Sequence, residues 1–190
     1  MYKTINLGTI TKKLISAVSL VLAFSMIAAM SVTPCLAADS PGGSTIAVNN
    51  QFGNVAVAGD VDVSTFTVGA NDNVTSAVQN TFAGLVAGGD LNIDNVSLLF
   101  GGNVTDVATT TISGAVIGGD LNINNIAEIL GVNTTAAFGN TIYNFASGGD
   151  GTINSVIDSN GISASSTEAI QNTLLSAIFN GNLTVTNIAK

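Results

Sequence analysis

Oxygen donors are the only potential chemistry that this chain repeats. Asp60 with Asp62, Asp90 with Asp94, and Asp120 with Asn122 and Asn124 place carboxylates and amides beside glycine-marked corners. Hard Ca²⁺ prefers such oxygens, so Asp60, Asp62, Asp90, Asp94 and Asp120 are candidate calcium ligands. Turn chemistry is the competing explanation: an Asp after a Gly can cap the turn with its own side chain. The Gly-Gly-x-Gly-x-Asp nonapeptide of calcium-binding β-rolls is absent, and so is an EF-hand loop. Catalysis has less to work with. The chain has no His, Arg or Trp, and Cys35 is its one cysteine. Ser and Thr are plentiful, but a nucleophile needs an adjacent base and its orienter. Paired carboxylates could serve glycoside chemistry, yet most of these Asp residues sit at repeat positions or turns. No catalytic or cofactor-binding residue is expected, and no enzyme.

The elements that must position these residues recur. Asp60, Asp90, Asp120, Asp150 and Asn182 close copies of one phrase at spacings of 30, 30, 30 and 32. A fixed period of about 20–50 residues marks a stacked, quasi-one-dimensional fold. After each anchor the chain alternates apolar and polar, as in Leu91-Asn-Ile93 and Leu121-Asn-Ile123, which sends successive side chains to opposite faces of a strand. Gly88-Gly89, Gly118-Gly119 and Gly148-Gly149 precede the anchors and mark corners where φ can be positive. The pattern predicts an all-β fold, a β-solenoid of about five 30-residue coils. A strand-plus-helix repeat and a β-sandwich are the alternatives. Helix and strand signals balance only over 163–179. Two inward columns are expected: Val61/Leu91/Leu121/Leu183 and Val63/Ile93/Ile123/Ile153/Val185. Gly151 interrupts the first and predicts a weak coil. Outward rows of Asp62/Ser64, Asn92/Asp94, Asn122/Asn124, Thr152/Asn154 and Thr184/Thr186 would form polar ladders on a flat face. Asn ladders hydrogen-bond along a stack, and a regular Thr/Asn face also suits an ice-binding protein.

Residues 1–38 read as a secretory signal peptide. Lys3, Lys12 and Lys13 precede an apolar run, and small residues follow up to Ala37 and Ala38. The apolar run is shorter than the ~20 residues that span a bilayer. Residues 39–190 then form a single repeat domain. All twelve acidic residues lie in that domain and Lys190 is its one basic residue, a net charge of −11. Such a chain cannot neutralise phosphates or favour anionic membranes, so no nucleic-acid partner and no stable membrane insertion after cleavage are expected.

With its leader and its tandem Asn- and Gly-rich strand units, the chain resembles in style exported bacterial fibre proteins such as curlins, with a longer period. That resemblance implies self-assembly outside the cell. The repeat is also out of phase at its two ends. Ser44 to Gly59 is the second half of a unit and Asn182 to Lys190 the first half of one, so the halves complete each other. The expected function is a secreted structural protein joining head to tail into a fibre, sheath or matrix. An adhesin or stalk on the same solenoid and an ice-binding protein are the alternatives.

Overall fold

The computed structural model describes residues 31–36, 43–159 and 165–190. All regular structure in them is β: β1 (Ser31–Leu36), β2 (Ser44–Gly53), β3 (Ala56–Val57), β4 (Val61–Ala70), β5 (Asn73–Ala83), β6 (Val86–Ala87), β7 (Leu91–Ser113), β8 (Val116–Ile117), β9 (Leu121–Ser147), β10 (Gly151–Ser159), β11 (Ser165–Phe179) and β12 (Leu183–Ala189). Every strand pairing is parallel. The chain is a β-solenoid of about five turns. Parallel pairing rules out a hairpin sandwich, and the ambiguous helix-or-strand segment is strand from Ser165 onward. Most of the expected leader lies outside the described residues. Its described part, β1, pairs with β4 from Ser31↔Val63 to Leu36↔Val68.

Each coil contributes one strand to a front sheet, one to a back sheet and a short piece to a narrow side. The front sheet stacks β1, β4, residues 91–100, residues 121–130, β10 and β12. The back sheet stacks β2, β5, residues 103–113, residues 133–143 and β11. Register follows the repeat: Val61 lies beside Leu91, Leu91 beside Leu121, and Ile93 beside Ile123. A one-residue slip would turn every apolar side chain outward, so burial holds the register. The expected columns are inward, with Val63, Ile93, Ile123 and Ile153 fully buried. They pack against Phe82, Ile112 and Ile142 of the back sheet in one apolar lobe. Ile46, Val78, Leu99, Ile129 and Phe138 build a second lobe nearer the opposite corner.

Two expectations about glycine change. Gly151 does not leave a gap: the Phe179 ring stands 2.5 Å from where its Cβ would be, and Leu183 also crowds the space. An aromatic from the next coil fills the column. The glycines before the anchors, in turn, are not the left-handed residues. Positive φ recurs earlier, at Asn54, Gly84, Gly114, Asn144 and Ser176, and elsewhere among the described residues falls at Gly43 alone. Gly88, Gly118 and Gly148 are instead required by close approach, because a Cβ on each would collide with the carbonyl of the coil before it. The backbone cannot yield there, since Gly118 N donates to Ala87 O at 2.9 Å. Gly118→Ala is therefore expected to destabilise the fold by about 2–4 kcal/mol. Gly139→Ala, whose Cβ would meet only a Thr109 methyl at 3.7 Å, is expected to be within about 1 kcal/mol of wild type. Urea midpoints of the two variants measure the difference.

Candidate functional site

The anchor aspartates act as inter-coil caps. Asp60 Oδ1 accepts the Asp90 amide at 2.9 Å, Asp90 Oδ1 the Asp120 amide at 2.8 Å, and Asp120 Oδ1 the Asp150 amide at 2.7 Å. Asp150 Oδ1 does the same for Asn182 at 2.7 Å. The carboxylate occupies the space over Gly89, Gly119, Gly149 or Gly181, where a Cβ would strike it. This explains the Gly-Asp pair: the glycine admits the previous coil's carboxylate, and the aspartate serves the next coil. Asp62 and Asp94 lie in two other columns. Asp62 accepts from Asn92 Nδ2 at 2.6 Å and Asp94 from Asn124 Nδ2 at 2.7 Å. The five candidate calcium ligands are thus spread over three columns. Among the described residues no three His, Cys, Asp or Glu side chains form a metal-holding group. One oxygen of each aspartate has a partner without a cation.

The most connected polar feature is internal, and sequence reading missed it. Between the two apolar lobes runs one chain of side-chain amides. Asn50 Nδ2 donates to Asn80 Oδ1 at 2.8 Å, and Asn80 crosses to the front sheet to reach Asn95 at 2.8 Å. Asn95 donates along that sheet to Asn125 at 2.7 Å, and Asn125 crosses back to Asn140 at 3.1 Å. Asn140 continues to Asn172 at 2.7 Å and Asn172 to Asn187 at 2.8 Å. Asn80, Asn95, Asn125 and Asn140 are fully or almost fully buried. The detour through the front sheet passes round Thr110, which occupies the Asn position in the third coil and whose Oγ1 is buried without a partner. Buried amides are costly unless bonded. Once bonded coil to coil, they select the in-register stack over any shifted one. The signal was present as a half-period: Asn80, Asn95, Asn125 and Asn140 differ by 15 or 30.

A second buried polar group lies toward the other lobe. Thr67 Oγ1 donates to Ser97 Oγ at 2.9 Å and sits 3.2 Å from Ser76 Oγ, and Ser97 Oγ donates to Asp106 Oδ1 at 3.2 Å. Asp106 is fully buried, and its Oδ2 has no partner. Desolvation pushes its carboxyl up to about 6, against the pull of its bonds to Ser76, Ser97 and the Val107 backbone. No cation faces it. Burial with one oxygen unpartnered makes the group a built-in instability.

The two outer faces differ in chemistry. On the front, the expected polar ladders form, with Asn122 Nδ2 donating to Asn92 Oδ1 at 2.9 Å above the Asn92–Asp62 bond. Beside them runs a column the sequence reading did not single out, Phe66, Val96, Ile126, Val156 and Ile188. Acidic residues share this face at Asp62, Asp94, Glu128 and Asp158. On the back, alternation sends Thr45, Thr75, Thr105, Thr135 and Thr167 outward in one in-register column. Ala47, Ala77, Val107, Ala137 and Ala169 form the column beside it. Asn49, Gln79, Thr109, Gly139 and Gln171 follow, and then Gln51, Thr81, Thr111, Thr141 and Thr173. None of these four columns holds a charged residue.

No family model, characterised protein or solved structure gives a match to this chain.

Proposed function

We propose that this is a secreted structural protein that stacks end to end into an extracellular fibre or sheath. One observation carries the reading: the coil made by β11 and β12 exposes the columns that every earlier coil buries. Val185 is 42 % exposed, whereas its column-mates Val63, Ile93, Ile123 and Ile153 are fully buried. Leu183 is 44 % exposed in the same way, whereas Val61, Leu91 and Leu121 in its column are buried. Asn187 ends the buried amide chain as an acceptor. A surface that covers this coil must offer parallel strand edges in matching register, and another copy of the solenoid offers them. Such a heterologous contact need not close and gives a filament. At the other end β1 covers β4 from Val63 to Val68. β1 belongs to the segment expected to leave with the signal peptide, so processing would open that edge to a partner.

Electron microscopy of the chain beginning at Asp39 tests the proposal. Filaments are expected, and removal of residues 182–190 should abolish elongation while the central coils keep their β circular dichroism. A monodisperse monomer across salt and calcium would overturn the fibre. Undiminished filaments from the truncated chain would overturn end-to-end joining and transfer assembly to the apolar column beginning at Phe66.

A further inference from the structure

The back sheet carries an ordered surface that end-to-end stacking leaves free. We propose that it is an ice-binding face, with the crystalline water lattice as its ligand. This assignment does not rest on the fibre reading. It also differs from the sequence expectation, which looked for such a face among the Asn and Asp ladders of the front sheet.

Four observations on the back sheet point the same way. First, its repeat is regular. Thr45, Thr75, Thr105, Thr135 and Thr167 hold adjacent positions on five parallel strands. Neighbouring strands lie ~4.8 Å apart and alternate residues on a strand ~6.7 Å apart. Hydroxyl and methyl groups therefore recur at each strand along the Thr45 column, a spacing close to the oxygen repeat in lattice planes of ice, and again from Thr81 to Thr173 in a parallel column six residues further along the strands. Secondly, the threonines are pre-set. A β-branched side chain has few χ1 choices, so holding its hydroxyl and methyl against a rigid solid costs little ordering entropy. Thirdly, charge is excluded. The chain has a net charge of −8, yet Asp62, Asp94, Glu128 and Asp158 point outward on the front sheet, whereas the back-sheet carboxylates Asp106 and Glu168 hold inward positions and none lies in the four outward back columns. A surface built only for solubility would carry charge on both sheets. A lattice of neutral water has no counter-charge with which to compensate a carboxylate taken out of solution. Fourthly, the Ala47, Ala77 and Val107 column floors a shallow trough of about 400 Å³, with Asn49, Gln79 and Thr109 along its wall. A small apolar floor beside the Thr45 column leaves room for water in register with its side chains. A crystalline polysaccharide fits less well, because sugar rings dock on aromatic platforms and these columns contain no aromatic residue.

The test is thermal hysteresis and partition into a growing ice hemisphere, measured on the purified chain. Wild type is expected to enter the ice and to depress the freezing point below the melting point. Thr75→Tyr and Thr135→Tyr, which place a bulky ring within the Thr column, are expected to lose both effects. Val116→Tyr, at an exposed position on the narrow side, is expected to keep them. Because a ring could disturb the sheet, Thr75→Ser with Thr135→Ser supplies a second, milder comparison. It keeps the hydroxyls and removes the methyls, and a reduced hysteresis at an unchanged urea midpoint is expected. Exclusion of the wild-type chain from ice would overturn the proposal, as would full activity in the Tyr variants. Sedimentation showing a lateral dimer that Thr75→Tyr dissociates, without hysteresis in the wild type, would also overturn it and make the face a contact between copies.

Discussion

Ile123→Asp is expected to cost about 4 kcal/mol or more, at the upper end of single substitutions. Ile123 is fully buried between Ile93 and Ile153 in the stacked column. Its lobe supplies only apolar partners, so a carboxylate there either stays unpaired or takes up a proton at a further cost. Folded domains are stable by only about 5–15 kcal/mol, and in a solenoid each coil is supported by its two neighbours alone. The damage should therefore divide the cooperative unit, with unfolding broadened or split into two transitions. Asn122→Ala is the contrast. Asn122 is half-buried on the outer front face and loses one bond to Asn92, which amounts to about 1 kcal/mol. Urea titrations followed by circular dichroism measure both variants. Equal losses would mean that the two faces of the strand had been exchanged.

Asp106 is expected to make the fold less stable as pH rises through the mildly acidic range. Its folded-state value is raised from 3.8 to about 6, so the folded protein holds this proton more tightly than the unfolded chain. Stability from that proton is complete below 3.8 and fades as pH climbs to about 6. A rise of this size corresponds to about 3 kcal/mol in total. Asp106→Asn removes the titration while keeping the shape and the contact with Ser97. The variant should lose that part of the pH slope. Near neutrality it should also be more stable than wild type by about 1–2 kcal/mol, the rest being offset by an amide that gains an unpaired donor. Unfolding free energies of both chains between pH 4 and 7 give the test, and the remaining carboxylates are common to both. Parallel curves would show that Asp106 keeps its charge in the fold through a partner other than these hydroxyls.

Much of the architecture was legible before any coordinates. The 30-residue period, the alternation after each anchor and the scarcity of helix formers name a β-solenoid, and the inward columns of Val, Ile and Leu follow from parity alone. Periodicity is a local property, and stacking identical units converts it directly into contacts. Residue identity did not reveal which of several polar roles each position takes. Asp60, Asp90 and Asp120 read equally as metal ligands or turn caps until each carboxylate is seen over the glycine of the next coil. Asp106 and Asn95 resemble any other polar residue in a Thr- and Asn-rich strand, because inward and outward assignment changes with one step of parity.

The sequence by itself determined the repeat, the register and the apolar columns, because each depends on spacing along one strand. Only the tertiary structure decided what meets across the coil. The front and back sheets close on each other at a separation of 15 residues. That closure turns scattered asparagines into one buried amide chain, seals Asp106 from water and gathers the threonines into a single uncharged face. The physical reason is that burial and hydrogen-bond satisfaction belong to the space between two sheets, and neither sheet's own sequence specifies that space.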